Sequence, residues 1–113
     1  MTKTALDVTT ESLRLIGVTA VDESASADDH ARAKNHLEAI YAELDETHGL
    51  ALEWTVETVP DRLWQHMAAA VAGSICTAYG KEEFLPLRRE GIAGVMRDEF
   101  GGEPDRPTSA VFY

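Results

Sequence analysis

Between Ser26 and Gly49 the large and small apolar residues Ala33, Leu37, Ile40, Tyr41 and Leu44 fall three or four positions apart. That spacing follows the 3.6-residue turn of a helix and not the alternation of a strand, so it predicts an amphipathic helix with one dry face. Both ends carry matching signals. Ser26 can cap, Asp28 and Asp29 fill the first turn with Asp29 three residues past the cap, and Gly49 closes the run. A helix over about residues 27–48 with such a stripe must bury it against other elements.

Three further helices are predicted to supply them. Over residues 4–17, Leu6, Thr9, Leu13 and Ile16 share a face; Asp7 and Glu11 lie early, Arg14 late, and Gly17 suits a left-handed terminator. Pro60 suits the first turn of a helix running to Tyr79 or Gly80. Its leading face is Leu63, Met67, Val71, Ser74 and Ala78, with Trp64, Ile75 and Tyr79 beside it. The small residues of 67–74 let a second helix come close, which makes this the expected central helix. A last helix over about 86–100 takes its stripe from Leu85, Ile92, Val95, Met96 and Phe100. Gly91 and Gly94 each weaken it by up to about 1 kcal/mol against alanine, so it depends on packing. The aromatic residues Tyr41, Trp64, Tyr79 and Phe100 sit at positions that suit the core. The expected fold is all-α: a small four-helix bundle in residues 1–100, with an arm over residues 101–113.

Two segments break the helical rhythm. In residues 50–59, Leu50, Leu52, Trp54 and Val56 alternate with smaller or polar residues, the period of extended chain. A lone strand inside a helical domain leaves its backbone groups to water or to another chain. Two readings stay open: a connector that patches the core of its own subunit, or a strand that pairs in an assembly, with Leu52, Trp54 and Val56 as the subunit contact. The second segment is "GGEPDRPTSAVFY", residues 101–113. Two glycines and two prolines cannot continue a helix, and Val111, Phe112 and Tyr113 are costly to leave in water. A frayed end competes with an aromatic anchor for a partner's groove.

Charge and composition narrow the chemistry. Twenty acids against ten lysines and arginines give a net charge of −10, which argues against a conventional nucleic-acid binder with its basic footprint. Carboxylates at Asp28, Asp29, Glu38, Glu43, Asp45 and Glu46 are expected on solvated faces. The start of the chain has no apolar signal core, so export is not expected, and no apolar run approaches the roughly 20 residues that span a bilayer. The single cysteine, Cys76, excludes an internal disulfide and reads as a buried, inert thiol in an alanine-rich helix. Four histidines do not converge with carboxylates at helical spacing. Asp45 and His48 are the one tolerable i,i+3 pair, short of the three or four ligands zinc requires. No phosphate loop or nucleophile motif is present, so no catalytic residue, metal or cofactor is expected.

The opening "TALDVTTESLRLIGVTAVDESASADDHARAKNHLEAIYAEL" resembles the start of head-to-tail adaptor (connector) proteins of tailed bacteriophages and gene-transfer particles. The likeness lies in a first helix ending in "LRLIGV", an acidic Ser/Ala loop, and a helix with the Leu37–Ile40 stripe. The later "VPDRLWQHMAAAVAGSICTAYGKE" is similar to that family's second half, where a proline opens a small-residue helix ending at a Tyr-Gly pair, here Tyr79-Gly80. The resemblance covers about residues 4–100. It implies a non-enzymatic virion protein that assembles as a ring, commonly of twelve copies, beneath the portal protein. The ring would extend the DNA channel and receive the next tail component, a stopper or a tail tube or terminator. It implies too that the C-terminal segment docks on the portal, with Arg106, Pro107, Val111, Phe112 and Tyr113 as docking residues. Eleven extended residues, 103–113, reach about 36–40 Å. A net-negative lumen would let packaged DNA slide without adhering. Two other classes stand beside this one. One is a small helical interaction or regulatory module that uses the aromatic tail as a ligand; the other is a metal-assisted enzyme built on Asp45 and His48.

Overall fold

The computed structural model describes residues 2–20, 22–47, 49 and 52–100. Four α-helices account for most of it: α1 (Ala5–Leu15), α2 (Ala27–Ala42), α3 (Trp64–Ile75) and α4 (Pro86–Phe100). A two-residue antiparallel ladder joins β1 (Thr2–Lys3) to β2 (Val59–Pro60), with Thr2 opposite Pro60 and Lys3 opposite Val59. The all-α bundle expected from the sequence is the fold observed.

Helix α1 opens on a reciprocal cap. The Thr4 hydroxyl accepts from the Asp7 N–H at 3.2 Å, and Asp7 Oδ2 accepts from the Thr4 N–H at 3.0 Å. A cap of this kind contributes typically about 1 kcal/mol. At the far end Gly17 takes φ 79°, the Gly17 N–H donates to the Arg14 carbonyl and the Val18 N–H to that of Leu13. This pair of bonds satisfies carbonyls that the helix leaves open. Leu6 departs from the expected core face and stays 44% exposed, while Ala5, Val8, Ser12, Leu13 and Ile16 are buried. Leu6 lies in the first turn, on a shoulder shared with Lys3 and Trp64, outside the line where α1 meets its neighbours. The buried hydroxyls on that line are all bonded. Ser12 Oγ donates to the Thr9 carbonyl at 2.7 Å, and Thr9 Oγ1 lies 2.7 Å from His30 Nδ1, which ties α1 to α2.

Helix α2 begins where the sequence places it, with Ser26 Oγ accepting from the Asp29 N–H at 3.2 Å. Its last turn widens into a π-helical turn, Glu43–Thr47, and Gly49 adopts φ 66°. The expected apolar face is buried at Ala33, Leu37, Ile40 and Leu44.

Helix α3 is the centre of the molecule and packs against α1, α2 and α4. Met67, Ala68, Ala70, Val71, Ala72, Gly73 and Ile75 are all buried, so little of its circumference reaches water. It starts four residues later than Pro60 predicts. Pro60 forms the end of β2, and the Leu63 N–H donates to its carbonyl at 2.9 Å in the turn that leads into Trp64. A fixed φ near −65° serves a strand end and a helix start equally, and the buried Val59 decides between them. The helix tightens into a 3-10 turn, Cys76–Tyr79, and stops at Gly80 with φ 72°.

The α3–α4 contact explains the glycines of α4. A Cβ on Gly91 would stand 2.9 Å from Ala70 Cα and closer still to the His66 carbonyl oxygen. A Cβ on Gly94 would meet the His66 ring, and one on Gly73 would stand 2.8 Å from Arg88 Cα. Glycine on both sides lets the two backbones touch, and packing offsets the intrinsic helix cost.

Candidate functional site

Leu50 lies outside the described residues, and over the described residues 52–58 the connector after α2 does not form the extended strand its alternation suggests. Bends and a Thr55–Thr58 turn occupy it, with the Thr58 N–H donating to the Thr55 carbonyl at 3.0 Å and Thr58 Oγ1 accepting from the Thr55 N–H at 2.9 Å. Trp54 is 7% exposed, and Leu52 and Val56 lie half-buried against the same core. The Trp54 ring meets Tyr41 edge-on, with centroids 5.4 Å apart and planes at 73°, and the Tyr41 hydroxyl donates to the Trp54 carbonyl. Trp54 Nε1 is buried and finds no acceptor among the described residues. Within the subunit Trp54 is thus enclosed in the core, while Leu52 and Val56 keep part of their surface outside it.

Glu57 fastens this connector to two helices. Its Oε1 accepts from the Ala5 N–H at 3.0 Å, at the open end of α1, and its Oε2 lies 3.3 Å from Lys34 Nζ on α2. The Ala5 N–H bond chiefly holds the Glu57 carboxyl below its ordinary range, with the Lys34 ammonium adding to it against the opposing effect of burial.

The end of α4 is held from outside the helix. Arg62 donates from Nη2 to Glu99 Oε1 at 2.8 Å and from Nη1 to the Asp98 carbonyl at 3.2 Å. His66 Nε2 lies 3.0 Å from Asp98 Oδ2. The Arg62 guanidinium beside the Asp98 carbonyl suits the negative end of the helix dipole. These contacts join residues more than thirty positions apart, which no local pattern in the sequence reveals. They pin the last turn of α4 to α3 and to the turn that precedes α3. The expected docking residues Arg106, Pro107, Val111, Phe112 and Tyr113 lie outside the described residues.

The outer face of α4 was read from the sequence as part of the core stripe, and the structure divides it. Val95 is buried and Ile92 is 8% exposed, but Met96 is half-buried and Leu85 is 49% exposed. The packing face is the one bearing Gly91 and Gly94. Leu85, Arg89, Ile92 and Met96 run along a second face at intervals of four, three and four. Two adjoining cavities open there, of about 450 Å³ and about 350 Å³, with Arg88 and Arg89 lining both. Ile92, Ala93 and Met96 line the second. Arg88 pairs with Glu43 at the end of α2, and Arg89 has no carboxylate partner among the described residues.

The expected solvated carboxylates fall into two groups. Asp28, Glu38, Asp45 and Glu46 are exposed. Asp29 and Glu43 are half-buried and engaged: Asp29 accepts from the Tyr79 hydroxyl at 2.7 Å, and Glu43 takes Arg88. Burial, then the Asp29 bond, pushes the Tyr79 phenol up, and the Arg32 guanidinium sits over its ring at 5.3 Å. Asp45 accepts from the Leu52 N–H at 3.3 Å, a structural bond; its candidate partner His48 lies outside the described residues. No three of His, Cys, Asp and Glu converge on a metal position among the described residues. Cys76 is buried, and desolvation raises its thiol away from reactivity. No described helix is long and apolar enough to cross a membrane. Comparison of the chain with known protein families, with characterised proteins and with solved structures found no match.

Proposed function

We propose that this chain is a structural assembly protein, one that works by shape and multiplicity. Within that class we read it as a head-to-tail adaptor, a ring-forming subunit placed below the portal at the head–tail interface of a virion and assembled in the host cytoplasm. The ring, of about twelve copies by the resemblance, would continue the DNA channel and receive the next tail component. The observation that carries the reading is the clamp on the last turn of α4, where Arg62 and His66 hold Asp98 and Glu99. The clamp fixes the last turn of the body before residue 101, and the composition of the segment that follows, with Gly101, Gly102, Pro104 and Pro107, suits an arm that pivots once and then stays stiff. In this reading, as the resemblance implies, the arm docks on the portal through Arg106, Pro107, Val111, Phe112 and Tyr113. Exposed carboxylates such as Asp28, Glu38 and Glu46, multiplied around a ring, would repel phosphate and let DNA pass.

Truncation after Gly102 tests the reading. The expected result is an unchanged helical circular-dichroism signal together with loss of binding to purified portal rings. Binding at full strength by the truncated chain would overturn it. A truncated chain that loses some partner other than a portal would favour the regulatory module.

A further inference from the structure

On the outer side of α4 an apolar strip, Leu85, Ile92 and Met96, borders the two adjoining cavities. Leu85 is 49% exposed and Met96 is half-buried, so the strip is only partly covered by the body. The charges around it are mixed: Arg88 and Arg89 stand with Glu43 and Glu90. Charge therefore selects no occupant. The choice falls to apolar contact and to what is held close by.

The chain's own continuation is held closest. Residues 101–113 follow α4 directly and carry a second apolar group, Val111, Phe112 and Tyr113. We infer that in the free chain this arm turns back at Gly101-Gly102 and lies along the outer face of its own α4. Val111, Phe112 and Tyr113 then cover the cavity beside Leu85 and Pro86. Portal competes for the same three residues, so the contact stows the arm until portal is present. That regulatory role rests on the adaptor reading above; the contact itself does not.

Reach supports this path. Helix α4 has 15 residues and is about 22 Å long. Pro104 and Pro107 favour a polyproline-like run of about 3.1 Å per residue, in which residues 103–111 span about 28 Å and 103–113 about 34 Å. The surplus of about 6–12 Å takes up the reversal and the step outward over the helix side chains, whose radius is about 5–6 Å. Two adjacent glycines make that reversal without steric cost. The aromatic end therefore arrives over the first turns of α4, where the larger cavity opens. A short tether also holds its end at a millimolar effective concentration, so a contact too weak for a separate peptide is well populated. A second copy matches that level only in millimolar protein, which favours the subunit's own arm.

Amide NMR of the full chain and of the chain truncated after Gly102, without portal, tests the contact. The amides of Leu85, Arg89, Ile92 and Met96 are expected to move on truncation, and the difference to persist on about tenfold dilution. Differences confined to the last turn beside the cut would overturn the inference and leave the adaptor reading untouched. Differences that fade on dilution would assign the arm to a neighbouring copy, and differences at Leu6 and Trp64 in place of α4 would assign it to another face; either result overturns the proposal. Leu85→Glu, at a half-exposed position, puts a charge under the aromatic end without touching the core. In the full chain it is expected to bring the Ile92 and Met96 amides to their truncated positions. It is also expected to tighten binding to purified portal rings about tenfold, the gain when an arm free one part in ten becomes fully free. Portal binding that is unchanged or weaker would remove the stowing role. A chain whose α4 amides respond as expected but which binds no portal would keep the contact and lose the adaptor reading.

Discussion

Trp54 shows how much one residue decides in a body of this size. It fills the space between the connector and α2, touches Tyr41 edge-on, and receives the Tyr41 hydroxyl on its carbonyl. Its ring is thereby held inside the body, 7% exposed. Trp54→Ala is expected to cost about 3–5 kcal/mol by opening a cavity. Trp54→Phe keeps the edge contact and removes a buried N–H that lacks an acceptor, so it is expected to stay within about 1.5 kcal/mol of the natural chain. Urea denaturation of both variants checks this; a phenylalanine variant as unstable as the alanine one would mean that the indole nitrogen has a partner. Glu57 acts at the same scale. A single carboxylate bonded to Ala5 and paired with Lys34 locks the connector to α1 and α2 at once.

At the scale of elements, the interlock of α3 and α4 is the most demanding feature. Gly91→Ala places a Cβ against the backbone of Ala70 and His66, where no side chain can swing aside. Overpacking of this kind costs about 1–3 kcal/mol, more than the helix propensity that alanine returns. Thermal unfolding should show a lowered midpoint for Gly91→Ala; a raised midpoint would show that the helices can part without loss. The sequence reads differently at each element, for physical reasons. Helix α2 was legible because its cap, charge and stripe agree. The start of α3 was not, because Pro60 fits a strand end as well as a first turn, and the pairing with Thr2 is long-range. On α4 the glycines looked like weakness and the larger apolar residues like the buried face. Backbone approach, which a one-dimensional pattern does not contain, makes the glycine face the inner one and leaves Leu85 and Met96 toward the outside. The clamp from Arg62 and His66 was equally hidden, since it depends on how α3 and α4 cross.

For the whole molecule, the fold is organised around α3. The centre, α3, is enclosed on nearly every side, which leaves the outward faces of α1, α2 and α4 to solvent. A net charge of −10 works against non-specific contact between copies of the chain.

That account depends on where the arm goes when its neighbour is present. A cryo-electron microscopy reconstruction of the full chain bound to portal rings answers this most directly. The account predicts a ring of subunits with Val111, Phe112 and Tyr113 seated in a groove of the portal. Density that places residues 103–113 on their own subunit, with no second chain touching them, would contradict it.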